Sequence, residues 1–362
     1  MSYSASPLPL GSTIGIIGGG QLGRMLAMSV AQMGYHAHIF TPEPDSPAAE
    51  VAKFCTVAEY DDEVALHAFA ANVAVITNEF ENIPASAAEL LATLKPVYPS
   101  PHLFALCQHR LKEKTFINTY GGRTADYAPA RSLHELKEAV QKIGVPCIAK
   151  RTYGGYDGKG QARIHDIQEC EAVWNMLAGE LVVEAFVPYV KEASIIVARS
   201  QTGEMTSFPI AENIHEGGIL RRSVVPANVA QSVQEEMQRI GYALAEAGAL
   251  VGILAIECFI LEDGQVLVNE LAARPHNTGH YSMDGCNISQ FEMLVRICAG
   301  LPLVQAVLLY PTEMYNLLGE EVLHLDGYLN NPHARLHLYG KKDCVAGRKM
   351  AHVNVVHPVI PT

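Results

Sequence analysis

Apolar positions come in short runs broken by glycine, proline and charge. Thr13-Ile-Gly-Ile-Ile17 is one such run and leads into Gly18-Gly-Gly-Gln-Leu-Gly23, which predicts a buried strand entering a tight loop. Arg24–Met33 reads as a helix, His36–Phe40 as a second strand and Val73–Thr77 as a third. This order predicts a parallel sheet with helices on its faces. Lys95-Pro-Val-Tyr-Pro-Ser-Pro101 cannot continue a helix and marks a domain edge. Beyond it, residues 102–120 read as a single helix closed by Gly121-Gly122, and Leu133–Ile143 as an amphipathic helix stopped by Gly144 and Pro146. Cys147–Lys150, Leu181–Glu184 and Ser194–Ser200 predict strands, and Gln231–Ala247 a helix. Gly252–Leu261 and Val266–Leu271 predict two strands around Glu262-Asp-Gly-Gln265. The expected division is 1–100, 101–190 and 191–362.

The most membrane-like stretch, Gly241 to Leu261, holds Glu246 and Glu257 and is better read as a helix followed by a buried strand. With 49% apolar and 18% charged residues, the chain of 362 can bury a sizeable core. A net charge of −12 argues against sequence-independent nucleic-acid binding, so neither nucleic acid nor membrane is an expected partner. The 8 cysteines contain no CxxC pair, and no Lys or Arg precedes Arg24. Reduced thiols and a cytoplasmic location are expected.

Gly18, Gly20 and Gly23 fit G-x-G-x-x-G between a strand and a helix, and Glu43 lies where a dinucleotide fold holds its ribose. A dinucleotide oxidoreductase and a plain phosphate loop both remain open on this motif. Tyr153-Gly-Gly-Tyr-Asp-Gly-Lys-Gly160 is not a Walker A loop, because Gly160 follows Lys159. With Lys150 at its base it suits a glycine-rich lid over a polyphosphate.

A two-residue turn at Asp263-Gly264 sets Glu257 directly opposite Glu270. Facing carboxylates in apolar strands call for a cation or a shared proton, and Mg2+ is the natural cation. The competing reading is a bulge that turns one glutamate to solvent. His276 and His280 have zinc-like spacing, but Pro275 and Gly279 interrupt a helix there. Arg274, His276 and Asn277 read instead as contacts to a phosphorylated substrate. Thr77-Asn-Glu-Phe-Glu-Asn82 places two carboxylates at a strand end, where open α/β sheets bind ligands. Lys341 and Arg348 form either a phosphate grip or a solvated face.

The motifs GGGQLGR (18–24), EFEN (79–82), QHRLKEK (108–114), GGYDGKGQ (154–161), EAFVP (184–188), AENIHEGGILR (211–221), NE (269–270), ARPHNTGHY (273–281) and GRKM (347–350) occur in this order. Together they resemble the ATP-grasp superfamily, and within it the family of N5-carboxyaminoimidazole ribonucleotide synthetases, from about Ile14 to His352. The resemblance implies an α/β, ATP-grasp architecture: an N-terminal parallel-sheet (pre-ATP-grasp, Rossmann-like) domain, a small lid domain and a larger C-terminal α+β domain. It implies carboxylation of 5-aminoimidazole ribonucleotide with ATP, Mg2+ and bicarbonate, through carboxyphosphate, in purine biosynthesis. It further implies a cytoplasmic homodimer that passes its product to a separate mutase.

Roles follow from the same resemblance. Arg110, Lys150 and Lys159 would contact ATP phosphates, together with Gly155, Tyr156, Asp157, Gly158, Gly160 and Gln161 of the loop. The strand end Glu184, Ala185, Phe186 and Val187 would read the adenine and Glu192 the ribose, while His215, Asn269 and Glu270 complete the nucleotide site. Glu257 and Glu270 would bind Mg2+. Gly20, Gln21 and Leu22 would meet the ribonucleotide rather than a dinucleotide. Glu79, Tyr156, Asp157, Arg274, His276 and Asn277 would surround the aminoimidazole and the activated carboxyl, with Asp157 serving the amine. Lys341 and Arg348 would bind the substrate phosphate. The family commonly reads RPGRKMGH near its end, and Val345 here replaces the first basic residue. Two other readings stay open: another ATP-grasp carboxylate–amine ligase, and a Rossmann-type nucleotide-binding protein without ligase activity.

Overall fold

The computed structural model describes residues 6–154 and 160–357. Its first sheet is parallel, in the order Phe54–Val57, His36–Thr41, Thr13–Ile17, Val75–Asn78, Val97–Tyr98. The helix after the glycine loop runs Gln21–Gln32, so it starts three residues before the expected Arg24, and Gly23 lies inside its first turn. Leu22, Met25, Leu26 and Val30 of this helix bury against Ile14, Ile16 and Ile39 of the sheet. The same core continues into Phe291, Leu294 and Val295 of the helix Gln290–Cys298.

The single helix expected over 102–120 is two, Pro101–Cys107 and Arg110–Thr119. No glycine or proline makes the break. Gln108 Nε2 donates to the carbonyls of Glu81 (2.6 Å) and Ile83 (2.8 Å), and His109 is extended at φ −121°, ψ 102°. The interruption starts a new helix at Arg110.

A small antiparallel sheet follows, in the order Tyr127–Ala130, Leu181–Ala185, Cys147–Arg151, Gln161–Ile164. Helices Leu133–Ile143 and Cys170–Leu177 bury Leu136, Val140, Val173 and Leu177 in its core. Leu133–Ile143 has the expected bounds because its end signals are local. Ser132 Oγ accepts from Glu135 N at 3.1 Å, and Gly144 takes φ 89°.

The largest sheet is antiparallel, in the order Val266–Ala272, Gly252–Ile260, Lys191–Arg199, Ala211–Glu216, Ile219–Val225, Thr312–Leu318, Lys349–Val356, Ala334–Leu338, with Met205–Ser207 paired to Lys191–Arg199. Lys349–Val356 follows both of its neighbours in sequence yet lies between them. Alternate residues of the central strands face opposite cores. Ile195, Val197, Leu254 and Ile256 pack under helix Gln231–Ala247, whereas Ile196, Ala198, Ile253 and Ala255 join the core around Phe291. Glu257 continues the second series. The stretch Gly241 to Leu261 divides into helix and strand, and among the described residues no helix is long and apolar enough to cross a membrane.

Candidate active site

Glu257 and Glu270 are cross-strand partners, as expected, but not through the expected turn. The hairpin closes with Leu261 N donating to Gln265 O at 2.9 Å and Gly264 at φ 82°. This loop is one residue longer than Asp263-Gly264 alone and pairs Cys258 with Val268. Continued unchanged, that register would put Asn269 opposite Glu257. A bulge between Glu257 and Cys258 absorbs Asn269 and brings Glu270 across instead. The bulge therefore unites the carboxylates rather than separating them.

Burial, then the charge of Glu270, push the Glu257 carboxyl up to about 8. His276 Nδ1 lies 3.7 Å from Glu257 Oε1. Burial, followed by Arg274, holds this imidazole well below its usual range, so it is neutral and able to ligate. Donor atoms of Glu257, Glu270 and His276 all fall within 4.8 Å of one another.

Arg110 Nη1 reaches Glu270 Oε2 at 3.6 Å. On the same face of that helix, Lys114 Nζ lies 3.1 Å from Glu184 Oε1, and Lys150 Nζ donates to Glu184 Oε2 at 2.9 Å. All three groups of this cluster are buried. Burial alone would raise the Glu184 carboxyl, but Lys150 and Lys114 outweigh it and bring it down to about 2. Beyond this cluster Glu192 pairs with His215 at 2.7 Å. Gly160 O accepts from Arg151 N at 2.9 Å, and Gln161 pairs with Lys150 across the small sheet. Ala185 ends the adjacent strand, Phe186 lies under the Arg163 guanidinium at 5.2 Å, and Val187 O accepts from Tyr189 N at 3.0 Å. The expected loop residues Gly155, Tyr156, Asp157, Gly158 and Lys159 lie outside the described residues.

One cavity of about 1000 Å³ links the glycine loop to Arg110 and Glu270. Glu79 sits inside the loop: Oε1 accepts from Gly20 N at 2.8 Å and Oε2 from Gly23 N at 3.2 Å. A Cβ on Gly18 would stand 2.4 Å from Glu79 Oε1, so this position must be glycine to admit the carboxylate. The helix N-terminus that a pyrophosphate would occupy is thus filled by the protein's own anion, which disfavours the dinucleotide reading. Gln21 and Leu22 still line the cavity.

Arg274 Nη2 lies 2.5 Å from Glu81 Oε1. Among the described residues both amide atoms of Asn277 are buried without a partner, and this residue also lines the cavity. An orphaned amide beside a cavity is a group built for a ligand. Lys341 and Arg348 line the cavity too, which sets aside their reading as a solvated face. Lys341 Nζ donates to Lys349 O at 2.7 Å, and burial, then Arg348, lower its pKa to about 8. Val345, where the family pattern has a basic residue, lines the same wall.

The sequence reading missed Lys114 and Glu113. Glu113 is buried, accepts from Leu271 N at 2.6 Å and is pushed by burial up to about 8. The signal was present, because 110, 113 and 114 share one helix face.

Family models match this chain in three stretches: the ribonucleotide synthetase preATP-grasp domain over residues 11–108, the ATP-grasp domain over 115–291 and the phosphoribosylaminoimidazole carboxylase C-terminal domain over 312–360. The chain is 43% identical over 348 residues to the N5-carboxyaminoimidazole ribonucleotide synthase of Bacillus subtilis (strain 168), covering 95% of this chain and 91% of that one. It is 42% identical to the bifunctional purine synthesis protein of Dictyostelium discoideum, of which it spans only 37%. Among solved structures, the ADP complex of an N5-carboxyaminoimidazole ribonucleotide synthetase superposes with a TM-score of 0.93 at 41% identity, over 97% of this chain and 94% of that one. The Aspergillus clavatus N5-carboxyaminoimidazole synthase in complex with ADP and 5-aminoimidazole ribonucleotide gives 0.90 at 26% identity, over 96% and 94%.

Proposed function

Because the chain belongs to the N5-carboxyaminoimidazole ribonucleotide synthase family of ATP-grasp ligases, and so carboxylates 5-aminoimidazole ribonucleotide at the expense of ATP in purine biosynthesis, we propose the following division of labour in its site. The observation that carries it is one cavity lined both by the basic groups Lys341 and Arg348 and by Arg110 with Glu270, and we assign the first pair to one end and the second to the other. The ribonucleotide phosphate takes the first end, beside Gln21 and Leu22. ATP takes the second, with its adenine at Glu184–Val187, its ribose at Glu192 and its phosphates at Arg110, Lys150 and Lys159.

The donor set favours a hard divalent cation. Two facing carboxylates, one of them strained upward in pKa, gain most from a shared positive charge, and neutral His276 adds a lone pair. Glu257 and Glu270 would hold Mg2+ with Asn269 beside them, and the bound ion would draw charge from the phosphate oxygens.

In this reading a bicarbonate oxygen attacks the γ-phosphorus while the bond to ADP breaks. Arg110 and the two lysines spread the developing charge. The resulting carboxyphosphate splits into CO₂ and phosphate inside the cavity, away from bulk water. The substrate amine bonds to the carbon and gives up a proton, with Asp157 as acceptor. Glu79, Tyr156, Arg274, His276 and Asn277 orient the ring and the carboxyl group. The working enzyme is a cytoplasmic homodimer whose product passes to a separate mutase.

Steady-state titration of each substrate tests the two-ended assignment. Arg348→Ala should raise the half-saturating concentration of 5-aminoimidazole ribonucleotide and leave that of ATP unchanged. The opposite pattern would overturn it.

A further inference from the structure

The turn that carries Arg274, His276 and Asn277 is gripped from behind by one side chain. Gln290, the first residue of helix Gln290–Cys298, has no exposed surface. Its Oε1 accepts from His276 N at 2.9 Å, and its Nε2 donates to His276 O at 2.7 Å. The amide thus pairs with the His276 backbone as a neighbouring strand would, on both sides of one residue. Its remaining proton points to His280 Nδ1 at 3.1 Å. Both backbone groups have fixed polarity, so the amide has a single permitted orientation, and His280 must present a bare Nδ1 to it.

The surroundings are shaped for this contact. A Cβ on Gly279 would stand 2.7 Å from Gln290 Oε1 and 2.3 Å from Ile196 Cδ1, so glycine there clears the space the amide uses. Ser282 Oγ accepts from Gln290 N at 3.0 Å and donates to Gly279 O at 2.6 Å, tying the helix start to the same turn. In front of the turn, His276 stands 3.7 Å from Glu257, and Asn277, whose amide has no partner among the described residues, lines the cavity.

We infer that Gln290 is a positioning residue for carboxyl transfer: its two bonds to the His276 backbone set where His276 and Asn277 stand relative to the carboxylate pair. The inference rests on the proposal that those two side chains meet the acceptor and the activated carboxyl. Loosening the turn leaves the phosphate-handling groups Arg110, Lys150 and Glu270 in place and misplaces the acceptor end. A shift of about 1 Å at such a point costs on the order of 100-fold in a positioned step.

The test is the ratio of N5-carboxylated product to phosphate released, measured per folded protein. Gln290→Met keeps length and burial and removes both bonds. Its ratio should fall by about tenfold or more. Gln290→Glu, fully buried, keeps its proton and with it one acceptor for His276 N and one donor for His276 O, so its ratio should stay close to that of wild type. A wild-type ratio in Gln290→Met, whatever its rate or melting temperature, overturns the inference. If Gln290→Met does not fold, a wild-type ratio in Gln290→Leu, which also removes both bonds, does the same. His276→Ala and Asn277→Ala separate the layers. A lowered ratio in these with a wild-type ratio in Gln290→Met removes the role of Gln290 alone. A wild-type ratio in both alanine variants removes the underlying reading and the inference with it.

Discussion

Glu257→Gln removes one of two facing charges and keeps the shape of the side chain. In the folded protein, burial and then Glu270 push the Glu257 carboxyl up to about 8. In the unfolded chain the same group titrates near ~4.3. An acid raised by folding opposes folding wherever the unfolded chain would ionise it. The cost is absent at low pH, grows by about 1.4 kcal/mol per pH unit above the unfolded value and levels off near pH 8. At pH 7 it amounts to roughly 4 kcal/mol, and glutamine escapes it. In metal-free buffer the variant should match wild type near pH 4 and melt several degrees higher at pH 8. Mg2+ should then reverse the order. A ligand at 100 times its Kd stabilises the folded state by ~2.7 kcal/mol, and in the proposed metal site the variant would offer the ion one carboxylate fewer. ATP turnover should vanish in Glu257→Gln and equally in Glu270→Gln. The assay is a set of thermal melts in chelator and in Mg2+ across this pH range, alongside ADP formation. A constant stability offset from pH 4 to pH 8, or full ATP turnover, would refute the reasoning.

Three further outcomes are expected. Lys114→Met leaves Glu184 short of one of its two buried cations and should cost about 3 kcal/mol in urea unfolding at pH 7. Because folding lowers the Glu184 carboxyl to about 2, the stability it confers is present above about pH 4 and lost as pH falls toward 2, so the penalty should shrink with acid. Lys341 loses its charge as pH rises through about 8, so the half-saturating concentration of 5-aminoimidazole ribonucleotide should climb above that pH in wild type and stay flat in Lys341→Met. Glu79→Gln offers one acceptor where Gly20 N and Gly23 N require two and should lower stability by about 1 kcal/mol, read as a shift in denaturant midpoint. An unchanged midpoint would count against the carboxylate as the plug of the loop.

The sequence was most legible where structure is set locally. The helix Leu133–Ile143 carries its serine cap and its glycine stop in adjacent residues. The break at Gln108 was invisible because its cause lies in the carbonyls of Glu81 and Ile83, brought near only by the fold. The facing glutamates came out correctly from a wrong turn. The apolar series Val266, Val268, Leu271, Ala273 slips by one at Asn269, and that slip is the bulge written in the chain. The glycine loop read as an anion site from its own residues, and only the distant Glu79 shows that the anion is already supplied. Gln290 acts through burial and a partner on another element, which no spacing rule encodes.

The strand Lys349–Val356 lies between two strands made before it. A ribosome delivering this chain therefore releases Thr312–Leu318 and Ala334–Leu338 with a gap between them, each exposing unpaired backbone groups. Folding from the N-terminus cannot finish domain by domain, and the sheet waits for its late insert. Lys341 and Arg348 belong to the connection that leads into that insert, and Lys341 is tied to its first residue, Lys349. On the proposed assignment, the basic pair that would grip the substrate phosphate is set only when the sheet is sealed, so a nascent or damaged chain lacking those residues would hold its nucleotide groups in place with no means of retaining the acceptor.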